Sequence, residues 1–445
     1  MLLRLPASPA KPLLRKMIAA GLQAADPYHA LLRAVSRKGH SLRVGRRTYD
    51  LARYNRVIAV GAGKASARMA QALERVLGSR LEGGLIVVKT GHRLRTKRVT
   101  IVEAGHPVPD QAGLQAAEQL QVLIRDLTPR DLLFVLLSGG ASSLLPAPVP
   151  GVTLANKQGT TRLLLRSGAT IQEMNAVRKH LSLLKGGGLA ACTKAMMTTL
   201  ILSDVIGDDL GSIGSGPTAP DPTTFADAIS ILHRYRVWRR VPAAVRRHLQ
   251  QGQKGSLPET LKPGSRLLQR VQHEIIGNNQ RMLKAVTNVA RDAGLHTTLI
   301  STPLTGEARK VAKQFARLAK PDAMERDALQ RPACLVAGGE PTVTVTGRGK
   351  GGRAQEFAAA AAFNIAGFPN VWLVAMGSDG TDGPTDVAGA VVTGETVARA
   401  RKIGVNLRSA LQRHDTYSAL KALRCHIRTG PTGTNVNDLY LLLLL

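Results

Sequence analysis

The stretch Arg56-Val57-Ile58-Ala59-Val60-Gly61-Ala62-Gly63-Lys64-Ala65-Ser66 reads as a buried strand that turns on glycines into a helix. Its apolar run shows no polar alternation, as expected of a strand covered on both faces. The helical period that follows lasts to Leu77 and stops at Gly78. The same grammar recurs downstream. Leu85-Ile86-Val87-Val88 and Val99-Thr100-Ile101-Val102 are strand candidates, Leu132 to Leu137 ends at Ser138-Gly139-Gly140, and Thr199 to Leu202 ends at Ser203-Asp204. Apolar runs alternating with helical stretches predict an α/β fold with mainly parallel sheets covered by helices. In such sheets ligands gather at the carboxyl ends of the strands.

A second set of elements begins after a basic stretch. Thr297 to Ser301 and Cys334-Leu335-Val336-Ala337 read as strands, and the Thr/Val alternation over 342–346 predicts a hairpin or edge strand. A helix is expected from Arg353 across the alanine run 358–362, and Val371-Trp372-Leu373-Val374 leads to Ser378-Asp379-Gly380. The apolar run after Leu439 is long enough for a closing strand and no more. A chain of 445 residues exceeds what one core sustains. The organisation expected is an N-terminal α/β domain over residues 1–250 and a C-terminal α/β domain over 265–445.

Composition narrows the class. With 44% hydrophobic and 20% charged residues the chain is globular, and with 3% aromatics its cores must be built from Ala, Val, Leu and Ile. Sixty-one Lys and Arg against thirty acids give a net charge of +31, which invites nucleic acid, anionic membranes or acidic substrates. Residues 1–56 carry a net +10 and residues 231–270 a net +9, and neither stretch contains a glycine-rich loop. A nucleic-acid platform interleaves stacking aromatics; the second stretch offers Tyr235 and Trp238 alone. These charges read as solvated surface.

Cys192, Cys334 and Cys425 are odd in number and form no CxxC, which argues against a disulfide framework or zinc site and for a reducing compartment. No apolar run approaches the roughly 20 residues of a membrane span. The first 25 residues are basic and free of acids, but Pro6, Pro9 and Pro12 interrupt them and no continuous apolar core follows. A cytoplasmic protein is expected.

Five loops carry chemistry. In Gly61-Ala62-Gly63-Lys64-Ala65-Ser66 the glycines admit a ligand to the backbone, the helix start offers N–H groups and Lys64 adds a positive charge. It is neither a Walker A loop nor a dinucleotide fingerprint, since Ser66 stands at the third glycine and Glu82 precedes the second strand. Ser138-Gly139-Gly140-Ala141-Ser142-Ser143 makes a nest of donors suited to phosphate or carboxylate, unless it is a serine-capped turn. Lys185-Gly186-Gly187-Gly188 is costly in backbone entropy unless something approaches closely. Asp204 is placed for Mg²⁺ or for a substrate hydroxyl, whereas Asp208 and Asp209 suit helix capping. On the preceding helical segment Arg178 and Lys179 could equally reach an anion or face solvent.

In the C-terminal part, Gly338-Gly339-Glu340-Pro341 and Gly347-Arg348-Gly349-Lys350-Gly351-Gly352-Arg353 interleave glycines with cations and read as an anion clamp, with Arg353 able to fork onto an oxyanion. Gly377-Ser378-Asp379-Gly380-Thr381-Asp382-Gly383-Pro384-Thr385-Asp386 lacks EF-hand spacing; Asp379 and Asp382 are candidate metal ligands or members of ordinary Asx turns. Cations and N–H nests for several anionic groups, together with acids, fit phosphoryl transfer better than acyl transfer. No G-x-S-x-G elbow or HExxH is present.

The segments GAGKAS (61–66), LLSGGASSLL (136–145), KGGGLA (185–190), LSDVIGDDLGSIGSGPT (202–218), GGEPTV (338–343), GKGGRAQEFA (349–358), GSDGTDGPTDVAGA (377–390) and GPTGTNVNDL (430–439) together resemble glycerate 2-kinase of the GckA/TtuD type. The resemblance runs in order over roughly residues 15–440, with a block over 331–440 that resembles the MOFRL domain. It implies two α/β domains with the active-site cleft between them, and transfer of the ATP γ-phosphoryl to the 2-hydroxyl of D-glycerate with Mg²⁺. It assigns Lys64, Arg353 and Asp204 to catalysis. Gly61, Gly63, Ser138, Gly139, Gly140, Ser142, Ser143, Gly351 and Gly352 would bind nucleotide phosphates, and Arg353, Glu340 and Asn435 the substrate. Asp204 and Asp379 would be metal ligands. The partners implied are D-glycerate and ATP, with neither nucleic acid nor membrane; a homodimer is compatible with them.

Two rival readings remain at this level. The family is also labelled hydroxypyruvate reductase, which would need NAD(P)H; the missing third glycine and the position of Glu82 oppose it. A basic nucleic-acid-binding protein would explain the charge and leave the loops unexplained.

Overall fold

The computed structural model describes residues 2–319 and 330–445. They divide into two units, one spanning Pro27–Ile276 and the other joining the residues up to Asp26 to Gly277–Leu445. Each is an α/β unit with its own core, as the alternating elements predict.

The Pro27–Ile276 unit opens with an antiparallel meander of β1 (Val35–Lys38), β2 (Ser41–Val44) and β3 (Arg47–Asp50). Its main sheet comprises β4 (Val57–Ala62), β5 (Gly83–Lys89), β6 (Val99–Ala104), β7 (Leu132–Leu137), β8 (Met196–Leu202) and β9 (Val271–Gly277). Their spatial order is β6-β5-β4-β7-β8-β9. The pairs β4/β5, β4/β7, β5/β6 and β7/β8 are all parallel. The chain leaves β4 toward one edge, then returns after β6 through the helix Gln111–Arg125 to pair β7 on the other side of β4. That reversal opens a crevice at the carboxyl ends of β4 and β7, where open α/β sheets bind their ligands. Every residue of β4 and β7 is buried, which is why neither run alternates.

This unit extends further than residue 250. The residues left between the two expected domains are packed within it: Asp221 N donates to Leu261 O at 2.7 Å and Leu261 N to Gly186 O at 2.9 Å. β9 then adds the sixth strand. The surplus charge here lies on solvent, with Arg234, Arg236, Arg239, Arg240 and Arg247 all exposed.

In the other unit the helix Lys11–Ala24 buries Leu14, Met17, Ile18 and Leu22 and packs against the helix Asn279–Asp292. Contact is close enough that a methyl group on Gly21 would stand 2.7 Å from Val286 Cγ2. The first 26 residues therefore do not belong to the unit that follows them in sequence, and the expected 1–250 domain loses them. The sheet holds β10 (His296–Leu299), β11 (Ala333–Gly339), β12 (Val371–Gly377), β13 (Gly389–Thr393), β14 (His426–Ile427) and β15 (Asp438–Leu444), in the order β10-β11-β15-β12-β13-β14.

The expectation of parallel strands holds for β4/β5, β4/β7, β5/β6 and β7/β8 in the first sheet and, in the second, for β10/β11 alone. The pairings β11/β15, β12/β15, β12/β13 and β13/β14 are antiparallel. An uninterrupted apolar run reports burial on two faces, and a central antiparallel strand under helices is buried just as fully. The C-terminal strand closes no edge. It runs between β11 and β12, with all seven residues buried. The Thr/Val stretch after Pro341 forms no strand; Thr342 makes an isolated bridge to Glu307. The helix Arg353–Asn364 lies on the sheet through an unbroken buried run from Ala354 to Ala362, its Phe357 ring 4.2 Å from Tyr440. Among the described residues no helix is long and apolar enough to cross a membrane.

Candidate functional site

In the Pro27–Ile276 unit the crevice between β4 and β7 is lined by the two loops that leave those strands. They are fastened to each other. Lys64 N donates to Gly139 O at 2.9 Å, Ser138 N to Ala62 O at 3.2 Å, and Ala65 N to Ser138 Oγ at 3.0 Å. Ser138 is buried and its hydroxyl also bonds Ser66 Oγ at 3.0 Å. It therefore caps the helix Ser66–Leu77 and is not presented to a ligand. Gly63 is needed for the same closeness, since a methyl group there would fall 2.0 Å from Ser138 Oγ at a φ of +145°. Gly61 and Gly63 thus allow the loops to meet instead of lining a phosphate site.

What the loops leave open is a smaller set. The N–H groups of Gly139 and Gly140 have no protein acceptor among the described residues. Gly140 has a left-handed φ of +91°, which tips successive N–H groups toward one concavity. Lys64 is half-buried, and its ammonium makes no hydrogen bond or ion pair among the described residues. The Asp204 carboxylate rests on the Cα of Gly139, where a methyl group would come within 2.0 Å of Oδ2. Asp204 and Lys64 are thus brought to the same pair of glycines.

The sequence reading missed His106. Its ring lies against Gly140, 2.9 Å from where a Cβ would stand, beside the Lys64 side chain. Burial first, and then the charges of Lys64, Lys89 and His92, hold its imidazole down at about 4. It is neutral at physiological pH. The signal available was a histidine two residues beyond the carboxyl end of β6, in the same row of loops. Ser143 donates to Gly140 O at 3.0 Å and so serves the turn itself, while Ser142 faces a different set of cations described below.

In the other unit Arg353 is anchored by carboxylates. Its Nε lies 2.7 Å from Asp438 Oδ2, its Nη2 3.0 Å from Oδ1, and its Nη1 2.7 Å from Glu340 Oε1. Tyr440 OH donates to Asp438 Oδ2 at 2.9 Å, and Asn437 Nδ2 to Glu340 Oε2 at 2.8 Å. Asn435 accepts from Asn437 N at 3.4 Å, which links it to the same group. Complete burial pushes the Asp438 carboxyl up to about 7 against the pull of Arg353, whose own guanidinium is held more firmly protonated by its two acids. Arg353 is therefore not the unpaired clamp expected. In the sequence Asp438 is one more polar residue at the end of the loop 430–438, and nothing local marks it as the partner of Arg353.

The glycine-rich stretch before Arg353 also has another role. A methyl group on Gly351 would stand 2.3 Å from Thr416 Oγ1, and one on Gly352 2.3 Å from Asp382 Cγ. Asp382 is buried and its two oxygens accept from Ala354 N at 3.0 Å and Gln355 N at 2.9 Å. The helix start that Gly351 and Gly352 were expected to offer to phosphate is occupied by this carboxylate. Asp379 Oδ1 accepts from Thr381 N at 3.0 Å and from Thr381 Oγ1 at 3.2 Å, an Asx turn. Among the described residues no group of three His, Cys, Asp or Glu side chains is arranged to hold a metal.

Residues 13–250 match the family described as a domain of unknown function, DUF4147, and residues 333–438 match the MOFRL family. A glycerate 2-kinase of Pyrococcus horikoshii is 39% identical over 95% of this chain and 95% of its own length. An Agrobacterium vitis protein named as a hydroxypyruvate reductase is 39% identical over 98% of this chain and 94% of its own. The crystal structure of a glycerate kinase from Thermotoga maritima superposes with a TM-score of 0.86 at 38% identity, covering 98% of this chain and 99% of that one. The chain belongs to the glycerate 2-kinase family, which joins a DUF4147 domain to a MOFRL domain.

Proposed function

We propose that the protein is an ATP-dependent D-glycerate 2-kinase, transferring the γ-phosphoryl group to the 2-hydroxyl and releasing 2-phosphoglycerate and ADP. The observation that carries this reading is the meeting of Lys64, the unbonded N–H groups of Gly139 and Gly140 and the Asp204 carboxylate at the carboxyl ends of β4 and β7. Preformed donors and a mobile cation suit a group whose charge spreads over peripheral oxygens in the transition state. The 39% identity with a named glycerate 2-kinase over nearly the whole chain supports the substrate.

In this reading Gly139 and Gly140 donate to phosphate oxygens, and Lys64 offsets the charge that builds up during transfer. Arg353 holds the glycerate carboxylate from its Nη1 side, where its partner Glu340 is exposed, while buried Asp438 keeps the guanidinium in place. Asn435 and Glu340 border that position. The donor set fits a magnesium ion that takes one carboxylate from the protein, Asp204, and its other ligands from phosphates and water. Bound there, the ion would neutralise phosphate charge. Asp379, committed to its own turn, is not needed.

The reductase reading is not favoured. β5 ends in Lys89, where a dinucleotide site carries an acid for the ribose. The three free cysteines, Cys334 and Cys425 fully buried, agree with a reducing compartment such as the cytoplasm. ³¹P NMR of the products from D-glycerate and MgATP tests the proposal. A 2-phosphoglycerate resonance is expected; oxidation of NADH by hydroxypyruvate with no ADP formed from glycerate would overturn it.

A further inference from the structure

The segment Ser142–Pro146, just beyond the Gly139-Gly140 pair, is gripped by three cations from three other parts of the unit. Lys185 Nζ donates to Ser142 O at 2.8 Å and Leu145 O at 3.0 Å, and Lys157 Nζ donates to Pro146 O. Arg178 Nη2 donates to Ser142 Oγ at 2.6 Å. Ser142 Oγ in turn bonds Ser215 Oγ at 2.7 Å, and Ser215 donates to Asn175 Oδ1 at 3.0 Å. With Asn175 Oδ1 able only to accept, the chain has one direction. It runs from Arg178 through Ser142 and Ser215 to Asn175, so both hydroxyl protons are committed and Arg178 stands at the head.

None of these three cations has a carboxylate within ion-pair distance among the described residues. Elsewhere in the unit buried charge is matched. Lys179, the next residue along the helix, pairs with Asp221 at 3.2 Å, and Asp131 with Arg56 at 2.9 Å. Burial and mutual repulsion push Lys157 and Lys185 well down, and burial lowers Arg178. The two lysines can shed their protons; a guanidinium cannot. Arg178 therefore carries a fixed charge in a poorly solvated place, with one hydrogen bond among the described residues for its five N–H donors. A desolvated charge without a partner is unfavourable, and an anion relieves it.

We propose that Arg178 and the Ser142 segment form a subsite for a phosphoryl group of the nucleotide, separate from the Lys64 position. Arg178 grips the oxyanion bidentately, which is the geometry guanidinium matches best. Ser142 holds the guanidinium plane at the edge of the glycine loop. The assignment to the nucleotide rests on the kinase reading; the anion subsite itself does not.

Two kinds of measurement on the full chain test it. Steady-state kinetics of Arg178→Ala and Arg178→Lys should show the MgATP KM raised about 10- to 100-fold in the alanine variant, as loss of a charge-assisted pair implies. The D-glycerate KM should stay within about twofold, and lysine should restore part of the loss. Calorimetry with ADP, inorganic pyrophosphate and 2-phosphoglycerate reads binding without turnover. Weakened ADP and pyrophosphate binding with unchanged 2-phosphoglycerate binding supports the proposal. Unchanged ADP and pyrophosphate affinity in a folded Arg178→Ala protein overturns it, and so does a loss confined to 2-phosphoglycerate. Should the alanine variant not fold, Arg178→Lys and Ser142→Ala carry the same comparison. A wild-type protein that binds pyrophosphate through Arg178 but phosphorylates no glycerate would refute the kinase reading and leave the subsite standing.

Discussion

Arg353 and Asp438 meet fork to fork, Nε to Oδ2 at 2.7 Å and Nη2 to Oδ1 at 3.0 Å, at the first residue of the central strand β15. The carboxylate is buried and the guanidinium partly exposed. One face of Arg353 is thereby fixed, while its Nη1 is paired with Glu340, whose side chain is exposed. Asp438→Ala should lower kcat/KM about as far as Arg353→Ala does, by roughly 10²–10⁴. The double variant should be scarcely worse than Arg353→Ala, because Asp438 acts through Arg353. Multiplicative losses in the double-mutant cycle would show that the two act independently.

Lys64 separates activity from stability. Its ammonium has no protein partner among the described residues, so Lys64→Ala removes no native bond of that group. Turnover should fall by about 10²–10⁴ while the thermal midpoint stays close to that of the parent. Near wild-type kcat/KM in the folded variant would remove Lys64 from the chemistry.

Asp204→Asn distinguishes two roles for one carboxylate. As a magnesium ligand, its loss should raise the half-saturating Mg²⁺ concentration about tenfold or more. Were it the acceptor of the hydroxyl proton, Mg²⁺ dependence would hold and the acid limb of the pH–rate profile would vanish instead.

His106 should titrate near 4 by NMR in the free protein. Its folded value lies below the ordinary imidazole value of about 6.5. Its stabilising contribution is therefore complete above about 6.5 and is lost as pH falls through that value toward 4. Anions bound beside Lys64 would oppose the positive charges that depress it, so ADP or pyrophosphate should move the His106 titration upward. An unchanged titration on binding would place the phosphates elsewhere.

Asp131 ties the starts of β4 and β7 together. It accepts from Arg56 N at 3.2 Å, Arg56 Nη2 at 2.9 Å and Thr128 N at 2.7 Å, and Arg56 first among its partners holds its carboxyl down at about 2. Asp131→Ala should cost about 2–3 kcal/mol in urea unfolding at pH 7. Because the folded value is depressed, the parent's advantage is present above about pH 4 and shrinks as pH falls toward 2. A gap that persists undiminished at pH 2 would contradict this.

Much is legible in the sequence alone. The alternation of apolar runs and helices identified two α/β units, and Lys64, Gly139, Gly140 and Asp204 could be named because chemistry-bearing residues follow strand ends. Local order along the chain determines those features, since backbone propensity and burial act over a few residues. Other features needed distant partners. Ser138 and Ser142 look alike in SGGASS, yet one caps a helix that starts at Ser66 and the other receives Arg178. Arg353 read as a free clamp because its carboxylates lie 85 residues later and 13 residues earlier in the chain. Strand direction in the second sheet was equally out of reach, because an apolar run encodes burial while pairing is chosen by what lies beside it. So the chain alone determined its fold class and the loops that carry charge. Tertiary structure decided which of those charges are already neutralised inside the protein, as that of Arg353 is, and which, like that of Lys64, have no partner among the described residues.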